Sequence, residues 1–149
     1  MPAAIDISIA SRASGIPSDD DIRLWTSAAL PARSAAELSV RVVGKPEMQT
    51  LNREYRGKDY ATNVLSFPAD LPPEVQLPLL GDIVICAAVV SREAREQNKA
   101  LDAHWAHMLI HGTLHLQGYD HQNDADAKKM ESREKRILAK LGFDDPYQH

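Results

Sequence analysis

Three histidines near the end of the chain stand at a spacing that suits a single metal ion. His111 and His115 are four residues apart, so on a helix their side chains lie on one face. Gly118 follows where that helix is expected to end, and a glycine there can adopt the left-handed conformation that turns the chain back. The turn would return His121 as a third ligand. Three imidazoles with one open coordination position are typical of catalytic zinc, whereas a structural zinc site is closed by four ligands.

One position in this motif argues against the best-known class of zinc hydrolases. Zinc proteases with two histidines at this spacing carry a glutamate directly after the first histidine, where it acts as general base. Here that residue is Gly112. A protease built on this motif would need its base from elsewhere in the chain. The alternative without a metal is a histidine-rich helix end favoured by the helix dipole, which explains His115 and His121 loosely and leaves Gly118 unexplained.

A second cluster with possible chemistry is basic. Arg53, Arg56 and Lys58 surround the expected end of a helix. Cationic side chains at that position complement the helix dipole. Guanidinium groups also fork onto phosphate oxygens, so the same cluster can be read as a phosphate-binding patch. Spacing alone favours the first interpretation.

The elements that would position these residues follow from periodicity and from turn residues. Alternation of apolar and polar residues, or short apolar runs, predicts four strands, at 5–10, 38–43, 64–67 and 81–87. Helical spacing with start and stop residues predicts five helices, at 18–29, 46–57, 91–98, 101–116 and 123–142. The proline-rich stretch 68–80 is expected to be a loop beside the site.

Two of these helices carry specific expectations about burial. In the second helix, Met48, Leu51 and Tyr55 recur on one face, which we expect to be buried. In the helix at 101–116, two further histidines, His104 and His107, lie on the same stripe as the motif histidines. A tetrahedral ion cannot hold all five histidines, so these two are expected at the surface or in contact with the ligands rather than as ligands.

Composition bounds the class of protein. The 149 residues suit one domain, 1–149, with 44% hydrophobic and 26% charged residues. The apolar runs are too short to span a bilayer, and the first residues do not resemble a secretion signal. Cys86 is the only cysteine and lies in an apolar run, so it is expected in the core, and a reducing cytoplasm is the expected location. The net charge of −4 gives no general electrostatic case for nucleic-acid binding.

The predicted architecture is α+β. A single small sheet of about four strands packs with about five helices, and the metal site lies at the C-terminal end of the central helix.

Several motifs taken together resemble a known family, the YbeY family of bacterial endoribonucleases. The motif at 111–121 reads HGTLHLQGYDH, and it is preceded by LNREYRGKD at 51–59, TNVLSFP at 62–68, GDIVIC at 81–86 and AHWAHM at 103–108. The resemblance implies an endonuclease for single-stranded RNA that acts in maturing the 3′ end of 16S ribosomal RNA and in ribosome quality control. Its partners would be ribosomal RNA and the small ribosomal subunit, with no membrane.

The resemblance also assigns roles to residues. It implies that His111, His115 and His121 bind one metal ion per chain, with zinc expected and nickel possible. It implies that Arg56 is the functionally important arginine, which reverses the helix-dipole interpretation for that residue alone. Many members have aspartate where this chain has Asn63, and others share the asparagine.

The chemistry expected from this set is metal-assisted cleavage of a phosphodiester, with Arg56 on the phosphate. Two other classes stay open at this point. One is a metalloprotease-like hydrolase that uses the same histidines with a base not visible in the motif. The other is a non-catalytic factor that docks on the ribosome, with the metal contributing to folding. The sequence leaves the oligomeric state open.

Overall fold

The computed structural model describes residues 3–32, 34–72, 74–75, 78–120 and 123–147. Within these ranges the chain forms four strands and five helices, in the order predicted. The strands are β1 (Ala4–Ala10), β2 (Glu37–Val43), β3 (Val64–Pro68) and β4 (Leu79–Cys86). The helices are α1 (Asp19–Ala28), α2 (Lys45–Arg56), α3 (Ala87–Glu96), α4 (Leu101–Leu116) and α5 (Asp124–Lys140). The α+β prediction is confirmed.

The strands form one sheet in the order β1-β2-β4-β3. β1, β2 and β4 are parallel, and β3 runs antiparallel to β4, with Val64 opposite Ile85 and Pro68 opposite Gly81. β3 therefore occupies one edge of the sheet. Pairing with β4 fixes the position of β3 at both of its ends.

Both faces of the sheet are covered, because successive side chains on a strand point to opposite faces. Ile83 and Ile85 of β4 join the main core, which includes α1, α4 and α5. Val84 and Cys86 point the other way and pack with Met48 of α2. Cys86 is fully buried, as its apolar surroundings predicted.

α4 is the central helix, with eleven of its sixteen residues buried. It packs on β3 and β4 and is flanked by α1, α3 and α5. The contact with the sheet is close at Gly112, where a Cβ atom would stand 3.2 Å from Ser66 Oγ and 3.3 Å from Ile83 Cγ2. Ser66 Oγ also donates a hydrogen bond to the Gly112 carbonyl, at 3.0 Å. Glycine at this position lets the helix lie directly on the strand that follows Asn63.

Two details differ from the expectations. α3 begins at Ala87, four residues earlier than predicted, because the apolar run from β4 continues into Ala-Ala-Val-Val and conceals the change from strand to helix. Tyr55 is 66% exposed, so its predicted burial is wrong, whereas Met48 on the same helix is fully buried. None of the described helices combines the length and the apolar character needed to cross a membrane.

Candidate active site

The C-terminal end of α4 is closed by a glycine turn. Gly118 has φ +96°, in the left-handed region, and the Tyr119 amide donates to the Leu114 carbonyl at 3.1 Å. This hydrogen bond, from the sixth residue back to the first, is the one that closes a helix when a left-handed residue reverses the chain direction. The turn expected at Gly118 is confirmed. It brings Tyr119 and Asp120 back to line the same cleft as the histidines of α4.

The two helical histidines of the motif meet at their outer nitrogens. Nε2 of His111 and Nε2 of His115 are 3.2 Å apart, and the ring centroids are 4.6 Å apart. The His111 side chain is 24% exposed, so its ring is reachable from the cleft. His121, the third predicted ligand, lies outside the described residues. The structure thus brings together two of the three predicted ligands.

Arg56 lines the same cleft as these histidines, across from α4. The cleft has a volume of about 600 Å³, and its walls are the end of α2, the whole of β3 and the C-terminal end of α4. Arg56 is exposed at the last position of α2. Arg53, one turn earlier, points to Asp59 at 3.7 Å and does not line the cleft. Of the basic cluster named from the sequence, Arg56 is the member that lines this cleft; Lys58 does not.

A buried carboxylate lies behind His111. Glu134 of α5 is fully buried, and its Oε1 lies 2.7 Å from His107 Nε2 and 3.2 Å from His111 Nδ1. The Tyr147 hydroxyl donates to Glu134 Oε2 at 2.8 Å. Burial pushes the pKa of Glu134 upward, but the hydrogen bonds from His107 and His111 outweigh burial and lower that pKa to about 2. The carboxylate is therefore ionised at neutral pH.

The same surroundings shift the partners of Glu134. Burial lowers the pKa of His107, and the hydrogen bond to Glu134 opposes this only in part. Burial and the neighbouring carboxylate raise the pKa of Tyr147. His107 therefore donates to Glu134 as a neutral imidazole, and Tyr147 donates as a neutral phenol.

His107, His111 and Glu134 form a group that could hold a metal ion. One ligand atom from each lies within 4.8 Å of the others. The grouping of these three residues was not expected from their spacing in the sequence. Of the two places expected for His104 and His107, the surface is wrong, since they are 3% and 6% exposed; His107 instead packs against His111, with 6.2 Å between ring centroids. A signal was present in Glu134, a lone acidic residue on the otherwise apolar inner face of α5.

A second carboxylate, that of Glu93, fixes the start of β3, the strand that forms one wall of the cleft. Glu93 of α3 accepts from Asn63 Nδ2 at 3.0 Å and contacts His104 Nε2 at 2.9 Å. Asn63 Oδ1 in turn accepts from the Val64 amide at 2.6 Å, at the start of β3. Asn63 lines the cleft, but its side chain is used to fix the strand.

Known proteins resemble this chain in sequence and in fold, and those that resemble it in sequence agree with the family suggested by its motifs. The family model described as Endoribonuclease YbeY matches residues 18–142. The chain is 59% identical over 145 residues to the Endoribonuclease YbeY of Cellvibrio japonicus (strain Ueda107), an alignment that covers 96% of this chain and 82% of that protein. The fold is similar to the solution structure of TM1509 from Thermotoga maritima, with TM-score 0.56 and 24% identity over 97% of this chain and 99% of that one.

The last of these likenesses bears on the fold alone. The first two extend over most of the chain, including every motif quoted from the sequence, and they show that the chain belongs to the endoribonuclease YbeY family.

Proposed function

We propose that this chain is a metal-dependent endoribonuclease that cuts single-stranded RNA in the cytoplasm. We further propose that it acts on the small ribosomal subunit, in maturing the 3′ end of 16S ribosomal RNA and in ribosome quality control. The observation that carries the proposal is the shared cleft, in which two imidazoles and one guanidinium of the family motifs face the same space. A family of nucleases that act within RNA chains supports the substrate class.

The proposed ligands of the ion are His111, His115 and His121. Two ligands at about 2.0–2.1 Å from a tetrahedral zinc ion stand about 3.3 Å apart, and the Nε2 atoms of His111 and His115 are 3.2 Å apart. Three imidazoles suit zinc and also nickel, and we propose one zinc ion per chain. When bound, the ion supplies Lewis-acid activation at the phosphodiester.

The alternative group of His107, His111 and Glu134 fits an ion less well. The distance of 2.7 Å between His107 Nε2 and Glu134 Oε1 is short for two ligands of one ion. It is the usual length of a hydrogen bond from an imidazole N–H to a carboxylate. Glu134 also accepts from Tyr147, at 2.8 Å, so donors already occupy both of its oxygens.

Arg56 is proposed to bind the scissile phosphate and to stabilise charge that develops on it. Its guanidinium lines the cleft, and no carboxylate among the described residues lies within ion-pair distance of it. A guanidinium without a partner carboxylate keeps its donors for phosphate oxygens, which it can engage in pairs.

The metalloprotease alternative lacks the general base that its motif normally carries, because residue 112 is glycine. Residue 112 faces β3, and even a Cβ atom there would stand 3.2–3.4 Å from three side-chain atoms of the sheet. Glycine at this position serves the close contact between α4 and the sheet. Phosphodiester cleavage with Arg56 on the phosphate does not need a base at residue 112.

The experiment that tests the proposal pairs metal analysis with cleavage of a labelled single-stranded RNA. The wild-type chain is expected to hold one equivalent of zinc and to cut the RNA. His115→Ala should lose both metal and cleavage. Arg56→Ala should keep the metal and lose about 100-fold or more in kcat/KM, the effect of removing a donor that stabilises transition-state charge.

Arg53→Ala is the matched control, since it removes the same group from the same helix outside the cleft. Its cleavage rate should be within a few-fold of wild type. Full cleavage by a preparation verified to be free of metal would refute the metal-dependent reaction. Peptide cleavage without RNA cleavage would instead favour the protease.

A further inference from the structure

The carboxylate of Glu134 is an unusual group to bury so completely. Its residue is 0% exposed, and an ionised carboxylate is costly to remove from water unless donors compensate it. Three donors surround it: His107 Nε2 at 2.7 Å, His111 Nδ1 at 3.2 Å and the Tyr147 hydroxyl at 2.8 Å. Two of them would be enough to anchor α5 and the C-terminal segment to α4. The third reaches a residue of the cleft.

The contact with His111 has a directional consequence. An imidazole that donates from Nδ1 keeps, in its neutral form, the lone pair of Nε2 for a ligand. In His111, Nδ1 faces Glu134 and Nε2 lies 3.2 Å from Nε2 of His115. The ring is therefore held at one end by a buried acceptor, while its other nitrogen faces the cleft.

We propose that Glu134 is the positioning residue of this site: by accepting from Nδ1 of His111, it fixes the rotation and the tautomer of that imidazole so that Nε2 is directed at the ion. The inference rests on the proposed role of His111 and His115 as ligands. Metal-binding histidines commonly donate their second nitrogen to a carboxylate, and losing that carboxylate typically costs 10–100-fold in metal affinity.

His107 and Tyr147 have a different part in this arrangement. They contact Glu134 and also approach each other, with 3.3 Å between His107 Nε2 and the Tyr147 oxygen. Their donors fix the carboxylate, and the carboxylate fixes His111. Substitution at Tyr147 leaves the contact between Glu134 Oε1 and His111 Nδ1 in place, so it should affect stability more than it affects the ion.

The test uses two substitutions at Glu134 and two comparison variants. Glu134→Leu removes the acceptor at similar volume, and Glu134→Gln keeps an acceptor oxygen without the charge. Glu131→Gln changes the same charge one turn earlier on α5, and Tyr147→Phe removes the hydroxyl that donates to Glu134 but keeps the carboxylate itself. Zinc affinity is measured by competition with a chromophoric chelator, and folding of each metal-free variant is checked by urea unfolding.

The expected order of zinc affinity follows from the contacts. Glu134→Leu should bind zinc 10–100-fold more weakly than wild type, Glu134→Gln should recover part of that loss, and the two comparison variants should stay within about three-fold. Long-range proton–nitrogen spectra of the metal-free protein provide the second readout. They should give the Nδ1–H tautomer for His111 in the wild type and a change toward the Nε2–H tautomer in Glu134→Leu.

Three results would overturn the inference. One is unchanged zinc affinity in folded Glu134→Leu, and another is equal weakening in Glu131→Gln, which would make net charge the cause. The third is an Nε2–H tautomer of His111 in the wild type. If the wild-type chain binds no zinc at all, the proposed metal site fails instead, and the tautomer measurement still decides whether Glu134 orients His111.

Discussion

Tyr55 and Arg56 are neighbours at the end of α2, and both line the cleft. In the role proposed for it, Arg56 binds a phosphate of the RNA. Tyr55 offers a ring that is 66% exposed, lines the cleft and packs edge-on against Phe67, with 4.7 Å between centroids. A base that is free of a duplex can stack on such a ring. Together the two side chains would favour unpaired RNA. Such local contacts are needed because the net charge of −4 does not attract nucleic acid in general.

Tyr55→Ala is expected to weaken binding of single-stranded RNA by about 1–3 kcal/mol, the usual contribution of one base–aromatic stack. Tyr55→Trp should bind as well as wild type, because it keeps a ring face. The measurement is fluorescence anisotropy of a labelled RNA with metal-free protein, so that cleavage does not interfere. Tyr60→Ala is the control, since Tyr60 is also exposed, at 53%, but does not line the cleft. Equal weakening in both variants would count against a specific stack.

At the scale of elements, the site depends on how closely α4 lies on the sheet. Gly112 allows that approach, and Ser66 of β3 fixes it with a hydrogen bond to the helix backbone. Nearer the start of α4, Glu93 joins α3 to Asn63, just before β3, and to His104. These contacts fix the distance between β3 and α4, two of the walls of the cleft.

Gly112→Ala is expected to destabilise the fold by up to about 2 kcal/mol. An alanine in a helix interior gains about 1 kcal/mol over glycine, but overpacking a core contact costs about 1–3 kcal/mol. The three atoms nearest to the new methyl group are side-chain atoms of β3 and β4, and two of them are methyl groups of β-branched residues, whose rotamers are restricted. Urea unfolding of the metal-free chain measures the difference. A gain in stability would mean that α4 lifts from the sheet at little cost.

Glu93 should make part of the stability depend on pH. Burial raises its pKa, but hydrogen bonds from His104 and Asn63 outweigh burial, so the pKa lies below its ordinary value of 4.5. A carboxyl group with a lowered pKa in the folded state contributes stability that is present above pH 4.5 and is lost as pH falls through the folded pKa.

Glu93→Gln is therefore expected to cost about 1.5–3 kcal/mol at pH 7, the range for a hydrogen bond to a charged group. The difference from wild type should shrink as the pH of the urea unfolding experiment is lowered below 4.5. Glu96→Gln, at an exposed carboxylate on the same helix, should show a small difference at every pH. A cost for Glu93→Gln that stays constant down to pH 3 would contradict the assignment.

For the whole molecule, the order and type of the elements could be predicted from periodicity and turn residues. Each strand or helix buries one side, and the spacing of its apolar residues shows which type of element it is. The start of α3 did not, because strand and helix share one apolar run. The exposure of Tyr55 was missed because helical spacing places it with Met48, although the last turn of α2 lies at the rim of the cleft. The pairing of His107 with Glu134 joins residues 27 apart in sequence, and only packing of α5 on α4 creates it.

Metal binding should stabilise the whole fold, since a ligand that binds only the folded state adds to the free energy of unfolding. At a free zinc concentration of 100 times the Kd, the gain is about 2.7 kcal/mol. Treatment with a chelator is expected to lower Tm, and added zinc should restore it. His115→Ala should show the same Tm with and without zinc, whereas Arg56→Ala should respond as the wild type does. If added zinc leaves the Tm of the wild type unchanged, the folded chain does not bind the ion.

The place of Glu134 on the last helix has a consequence for truncation. A chain cut before Asp124 would keep all four strands, Arg56 and both histidines at the end of α4. It would lose the acceptor that His107 and His111 share and would expose the apolar side of α4 that α5 covers. About the last sixth of the polypeptide is thus not a dispensable tail, and shortened versions made for convenience should be expected to bind metal more weakly and to lose solubility.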